Sequence, residues 1–146
     1  MRKINFLLLA FIFLGTLQII GCKKKSDPKS PAELIQKSWS AKEVKHDGTK
    51  VFQAGMTNNT FDYSKFRLDF LNATDVRLTE LDGSISNGKW SLSGNNLSLT
   101  QLTPEPTLTD GKIDYSSVSV TETELKITRV GTNPKTGQSN TEYVLR

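Results

Sequence analysis

Between Lys65 and Thr79 apolar and polar side chains take turns along the chain. Phe66, Leu68 and Phe70 alternate with Lys65, Arg67 and Asp69, and Val76 and Leu78 with Asp75, Arg77 and Thr79. Successive side chains of a strand point to opposite faces, so this stretch is satisfied with one face on a core and the other in water. A helix would scatter the same residues around its axis. The pattern recurs along the chain. Trp90 and Leu92 precede the tight turn Ser93-Gly94-Asn95-Asn96, and Leu97 and Leu99 follow it, which predicts a hairpin. Trp39 to His46 reads as a strand, Asp47-Gly48 as its hairpin turn and Thr49 to Gln53 as the return. Leu125 and Ile127 alternate with Lys126 and Thr128, and the closing segment from Thr141 turns Tyr143 and Leu145 inward. Ile113 to Val120 breaks its own parity: Ile113 and Tyr115 share one face, Val118 and Val120 the other. That conflict requires a bulge near Ser116-Ser117. Asp82-Gly83 and Asn87-Gly88 are expected at turns, and His46 as an exposed residue beside one.

The expected fold is all-β, an antiparallel up-and-down meander of eight or nine short strands with one short N-terminal helix. The helix is announced by Ser30 as N-cap, Pro31 at the first helical position and Glu33 completing a capping box. Closing such a meander removes the edges that invite aggregation. A barrel of about eight strands is filled by side chains or holds one small ligand. Alternation alone is equally compatible with a two-sheet sandwich.

Ahead of this domain, Arg2 and Lys3 precede an apolar stretch from Ile4 to Leu14, and Leu17-Gln18-Ile19-Ile20-Gly21-Cys22 follows. A basic start, an apolar middle and a small residue before a cut site make an export signal. Cys22, the single cysteine, then becomes the first mature residue. Residues 1–21 read as a lipoprotein signal peptide, 22–30 as a lipidated cysteine and flexible tether, and 31–146 as the β-barrel domain. The tether Lys23-Lys24-Lys25-Ser26-Asp27-Pro28-Lys29-Ser30 has no apolar side chain and cannot pack. Were the segment uncleaved, Ile4 to Ile20 would be short for a membrane span, and the lysines after it would favour a cytoplasmic domain. The two readings therefore place the domain on opposite sides of the membrane. The Gly21-Cys22 junction resembles the lipobox of bacterial lipoproteins. That resemblance implies a diacylglyceryl group and a further acyl chain such as palmitate on Cys22, anchored in the cell envelope. Lys23 stands where inner-membrane retention commonly uses Asp, so the resemblance favours the outer membrane.

Composition excludes several functions. The net charge of +4 belongs to the N-terminus: residues 31–146 hold 13 Lys and Arg against 14 Asp and Glu, leaving no basic face for nucleic acid. His46 is the only histidine and Cys22 the only cysteine, so a catalytic triad and a zinc site of the usual kind are both out of reach. No glycine-rich phosphate loop occurs; the glycines are scattered and each is expected at a turn. No metal or cofactor is expected. Glu80 follows Val76 and Leu78 in parity and is the one acid that could enter the barrel mouth, paired with Arg129, or else turn to water at the strand end.

The lipobox, the short helix running into Ser38-Trp39 and the hairpin Gly88 to Leu99 together resemble the lipocalin-like lipoproteins of Gram-negative bacteria. The resemblance implies a small up-and-down barrel, with Arg129 from a late strand lying over the first-strand Trp39. It also makes the aromatic-rich segment from Phe52 to Tyr63, with Met56 and Phe61, the loop at the barrel mouth, either a ligand lid or a plug. Interior Trp39, Phe66, Phe70 and Trp90 would favour a small apolar or amphipathic ligand. The expected function is thus a non-enzymatic binding module attached to the membrane by its N-terminal lipid. The alternative is an interaction lipoprotein with a filled barrel that meets an envelope protein or polymer. Cys22→Ser is expected to abolish signal processing, fatty-acid labelling and membrane fractionation together, all three being readable in one pulse-labelling experiment.

Overall fold

The computed structural model describes residues 27–146. The expected signal peptide 1–21, the expected lipidation site Cys22 and the lysines that follow it lie outside the described residues. Ser30 caps the helix α1 (Pro31–Leu34) as the sequence predicts: Glu33 N–H donates to Ser30 Oγ at 3.3 Å, and Ser30 N–H donates to the Glu33 carboxylate at 2.7 Å. Nine strands follow: β1 (Ser38–His46), β2 (Thr49–Gln53), β3 (Arg67–Phe70), β4 (Asp75–Thr79), β5 (Ile85–Ser93), β6 (Asn96–Thr103), β7 (Ile113–Val120), β8 (Leu125–Arg129) and β9 (Thr141–Leu145).

Each strand from β3 to β9 pairs antiparallel with the next, and β9 returns to β1. The result is a closed barrel of β1 and β3–β9, which settles the choice between barrel and sandwich. β1 closes it by using both edges. On one edge Ser38–Ser40 pair with β3, and further along Glu43–His46 pair with β2. On the other edge Ala41–His46 pair with β9. The extra strand β2 has its own free edge covered, because Thr60 and Phe61 N–H both donate to the Val51 carbonyl.

The lower end of the barrel, where β1 begins, is sealed by apolar packing. Ile35 and Trp39 are fully buried, and Trp39 Nε1–H donates to the Ile35 carbonyl at 2.8 Å. Phe70 meets Trp90 edge-on at 5.0 Å, and Trp90 Nε1–H donates to the Asn72 carbonyl at 2.9 Å. Each indole thus buries its ring and still satisfies its one donor. The cation over Trp39 is Lys37, at 4.3 Å from the ring, and not Arg129. The reason is register. Arg129 pairs with Thr141, which pairs with His46 at the far end of β1, seven residues and on the order of 20 Å of strand from Trp39.

Two departures from simple alternation shape the wall. Ser117 adopts φ +55° within the register shift between Ser116 and Ser119, and this bulge buries Val118 after Ile113 and Tyr115. The second departs from expectation. Asn87-Gly88 is not a turn but lies inside β5, at an irregularity facing β6. Gly88 is needed there because a Cβ would sit 2.5 Å from the Thr100 carbonyl oxygen. Gly88→Ala should therefore force the β5–β6 pair apart and cost about 1–3 kcal/mol in urea denaturation.

Candidate functional site

The upper end of the barrel is chemically unlike the lower. Strand register sets His46 of β1, Thr141 of β9, Arg129 of β8 and Tyr115 of β7 side by side, each an inward position. In the next layer down Tyr143 stands between Val44 and Ile127. All four members of the row are buried, and Arg129 is only 7% exposed. Tyr63 enters from the β2–β3 loop, and its hydroxyl lies 2.8 Å from His46 Nε2. The rings knit the layer together: Phe66 stacks on Tyr143 at 4.7 Å, while Tyr63 and Tyr115 meet Tyr143 edge-on at 5.9 and 6.1 Å.

This cluster holds more polar atoms than it pairs. His46 Nδ1, the Tyr115 hydroxyl and Thr141 Oγ1 are buried with no hydrogen-bond partner, while the Tyr143 and Thr136 hydroxyls have only the Tyr63 hydroxyl within reach. Arg129 makes no salt bridge among the described residues. Burial pushes the phenols of Tyr63 and Tyr115 up to about 12, and that of Tyr143 well above its ordinary value, so all three hold their protons at neutral pH. Burial pushes the His46 imidazole down, with the neighbouring Asp47 opposing. The site is thus one buried cation among neutral hydroxyls and a neutral imidazole.

A strap formed by the β8–β9 loop crosses above it. Lys135 on this strap contacts Glu80 at 2.7 Å and Asp82 at 2.6 Å, joining it to the β4–β5 turn on another part of the rim. Its hydrogen bond to Asp82 draws that carboxyl down to about 2. Burial disfavours charge on Lys135, yet the bonds to Asp82 and Glu80 outweigh it and hold the ammonium above its ordinary range. Glu80 is buried as its parity suggested, but its cation is Lys135 rather than Arg129. Beside the strap opens a cleft of about 340 Å³ lined by Glu80, Ile85, Ser86, Pro104, Pro106 and Lys135.

The aromatics singled out from sequence divide between the two ends. Phe66 joins the upper cluster with Arg129, while Trp39, Phe70 and Trp90 pack the lower barrel. In the β2–β3 segment Phe52 is buried 6.0 Å from the Tyr63 ring and Phe61 lies 4.7 Å from His46, so these side chains plug the wall. Met56 is 55% exposed and faces away. His46, expected at the surface, is buried because β1 slips register between Ala41 and Glu43. Before the slip Trp39 and Ala41 face inward; after it Val44 and His46 do.

Comparison with known proteins agrees with this architecture. The model of the lipocalin-like domain family matches residues 35–127. A crystal structure of a lipocalin-like protein from Bacteroides uniformis superposes with a TM-score of 0.50 at 15% identity, covering 77% of this chain and 97% of that one. A crystal structure of an uncharacterized protein from Bacteroides eggerthii gives a TM-score of 0.45 at 16% identity, covering 75% and 96%. No curated protein sequence matches the chain.

The buried His46 carries a pH signature. Its folded pKa lies below the value of about 6.5 in an unfolded chain, so the folded state resists protonation and its stability is complete above that pH. Urea-denaturation stability is expected to fall as pH drops through about 6.5 toward the folded value, and the His46→Gln chain to be flat across the same window.

Proposed function

The chain belongs to the lipocalin-like domain family, and from that premise we propose that it is a lipid-anchored, extracytoplasmic binding module for a small amphipathic molecule. It works as a receptor and not as an enzyme, held at the cell envelope, in the outer membrane, by acyl chains on Cys22. Its binding site is the upper end of the barrel, approached through the cleft beside the β8–β9 strap. The observation that carries this reading is the concentration of unpartnered buried polar atoms at that end of the barrel. Leaving such a group without a partner costs about 1–3 kcal/mol. A fold that keeps several together, while both lower indoles are fully hydrogen-bonded, has a reason for them other than stability.

The site also has an apolar approach. Ile85, Leu108 and Val130 are among the exposed large hydrophobic residues, and each stands at or near the upper ends of the strands. A molecule with a polar head and an apolar body would meet the cleft beside Glu80 and Lys135 with one and this rim with the other. A second reading draws on the same rim and on the filled lower barrel: an interaction module whose upper face receives an envelope protein. Titration with the uncharged fluorophore N-phenyl-naphthylamine separates the two. The binding-module reading expects a saturable fluorescence increase at one probe per chain. No increase, together with a single dominant adduct on cross-linking in intact cells, favours the interaction reading.

A further inference from the structure

We propose that the lower end of the barrel is the face this protein lays against the membrane that holds its acyl chains, so that the cleft beside the β8–β9 strap opens away from that membrane. The inference rests on the lipid anchor of the reading above and adds the direction in which the binding site faces.

The first observation is where the chain enters the barrel. The helix α1 leads into β1 at the lower end, and Lys29 just before it contacts Glu122 of the β7–β8 turn at 3.1 Å. Lys37, beyond the helix, donates to the Glu122 carbonyl. An exposed ion pair of this kind adds little stability, but it marks the end from which the chain departs. Lys29 lies seven residues from Cys22, and seven residues span at most about 25 Å even when fully extended. The nine-residue strands β1 and β5 are each about 30 Å long and, tilted by about 40°, rise about 23 Å. The upper loops stand beyond that height. Turning the barrel over would require the tether to run at full stretch along the whole wall.

The second observation is an asymmetry of charge between the two ends. At the lower end the turns 71–74 and 94–95 carry no charged residue. The third lower turn has two acids and both are engaged, Glu122 by Lys29 and Glu124 by Lys42 and Lys126. Leu71 is 55% exposed in its turn, an apolar side chain placed to enter a head-group layer. Lys23, Lys24 and Lys25 adjoin Cys22 in sequence and favour anionic head groups. The upper end is the reverse. Its β1–β2, β4–β5, β6–β7 and β8–β9 turns hold five acids, Glu105 and Asp110 among them, against two cations. Anionic head groups repel such a rim. Its exposed Ile85 and Leu108 therefore face the aqueous space, and the ligand is exchanged there and not with the lipid below.

Full-length lipidated protein, purified in mild detergent and reconstituted on vesicles of phosphatidylethanolamine and phosphatidylglycerol, tests this. With Cys22 acylated, a cysteine introduced elsewhere is the one free thiol to carry an NBD fluorophore. With nitroxide-headgroup lipid in the vesicles, the Leu71→Cys label is expected to lose most of its emission and the Leu108→Cys label none. Ala73→Cys and Glu105→Cys, at exposed positions of the same two ends, supply the comparison should either leucine variant not fold. Equal loss at the two ends, or greater loss from the upper label, overturns the orientation and leaves the anchor standing. Failure to float with the vesicles overturns anchor and orientation together. N-phenyl-naphthylamine titration of the same detergent-purified protein reports separately on the binding module.

Discussion

Closure of β1 on β9 is the contact on which the rest of the molecule depends. Ala41 to His46 pair along β9, and Ser40 and Arg146 exchange two backbone hydrogen bonds at 2.9 Å each just below. Each such bond contributes only about 0.5–1.5 kcal/mol net. Their larger effect is topological, because they leave the barrel without an open edge and convert an alternating pattern into an inside and an outside. β1 can serve both neighbours only because it is long and irregular. Its register slips on the β9 side between Ala41 and Glu43, and on the β2 side between Val44 and Lys45.

Those slips also divide the barrel's chemistry. Below them the inward side chains are Trp39 and Ala41, and the lower barrel closes around indoles, leucines and phenylalanines whose polar atoms are all matched. Above them the inward residues of β1 are Val44 and His46, and the cluster they join holds Tyr63, Tyr115, Arg129, Thr141 and Tyr143. The dry floor supplies stability, and the polar cluster draws on it. A row of buried groups short of partners is tolerable because aromatic stacking against Phe66 and Tyr143 fixes the layer in place. The strap adds a second constraint, tying the β8–β9 loop to the β4–β5 turn through one lysine and two acids.

Much of the architecture was legible in local sequence. Alternation at Lys65–Thr79 and the hairpin at Ser93–Asn96 identify strands because a two-residue period has no other stable use. The capping box at Ser30 and Glu33 marks its helix through local geometry alone. The parity conflict in Ile113–Val120 announced its own bulge. The misreadings share one cause: they depend on contacts distant in sequence. His46 changes sides at a bulge in β1 that pairing with β9 imposes, and nothing in Ser40 to Val44 signals it. Gly88 looks like a turn glycine, but its role is set by the Thr100 carbonyl across the sheet. Arg129 is readable as inward from Leu125 and Ile127, yet which end of Trp39's strand it reaches follows only from register through Thr141. Of the site, the inward face of Tyr143 was visible, and its meeting with Tyr63, Tyr115 and Arg129 was not. Lys135 carried no local sign at all, since its partners lie 53 residues and more upstream.

The central claim is that the polar cluster at the top of the barrel is there to receive a small amphipathic molecule. It is tested most directly by a crystal structure of the full-length protein purified in mild detergent from the cells that make it. The account predicts a small molecule at the upper end of the barrel, seated in the cleft beside the β8–β9 strap. A cleft that holds only water, in protein purified without exposure to added ligands, would contradict it.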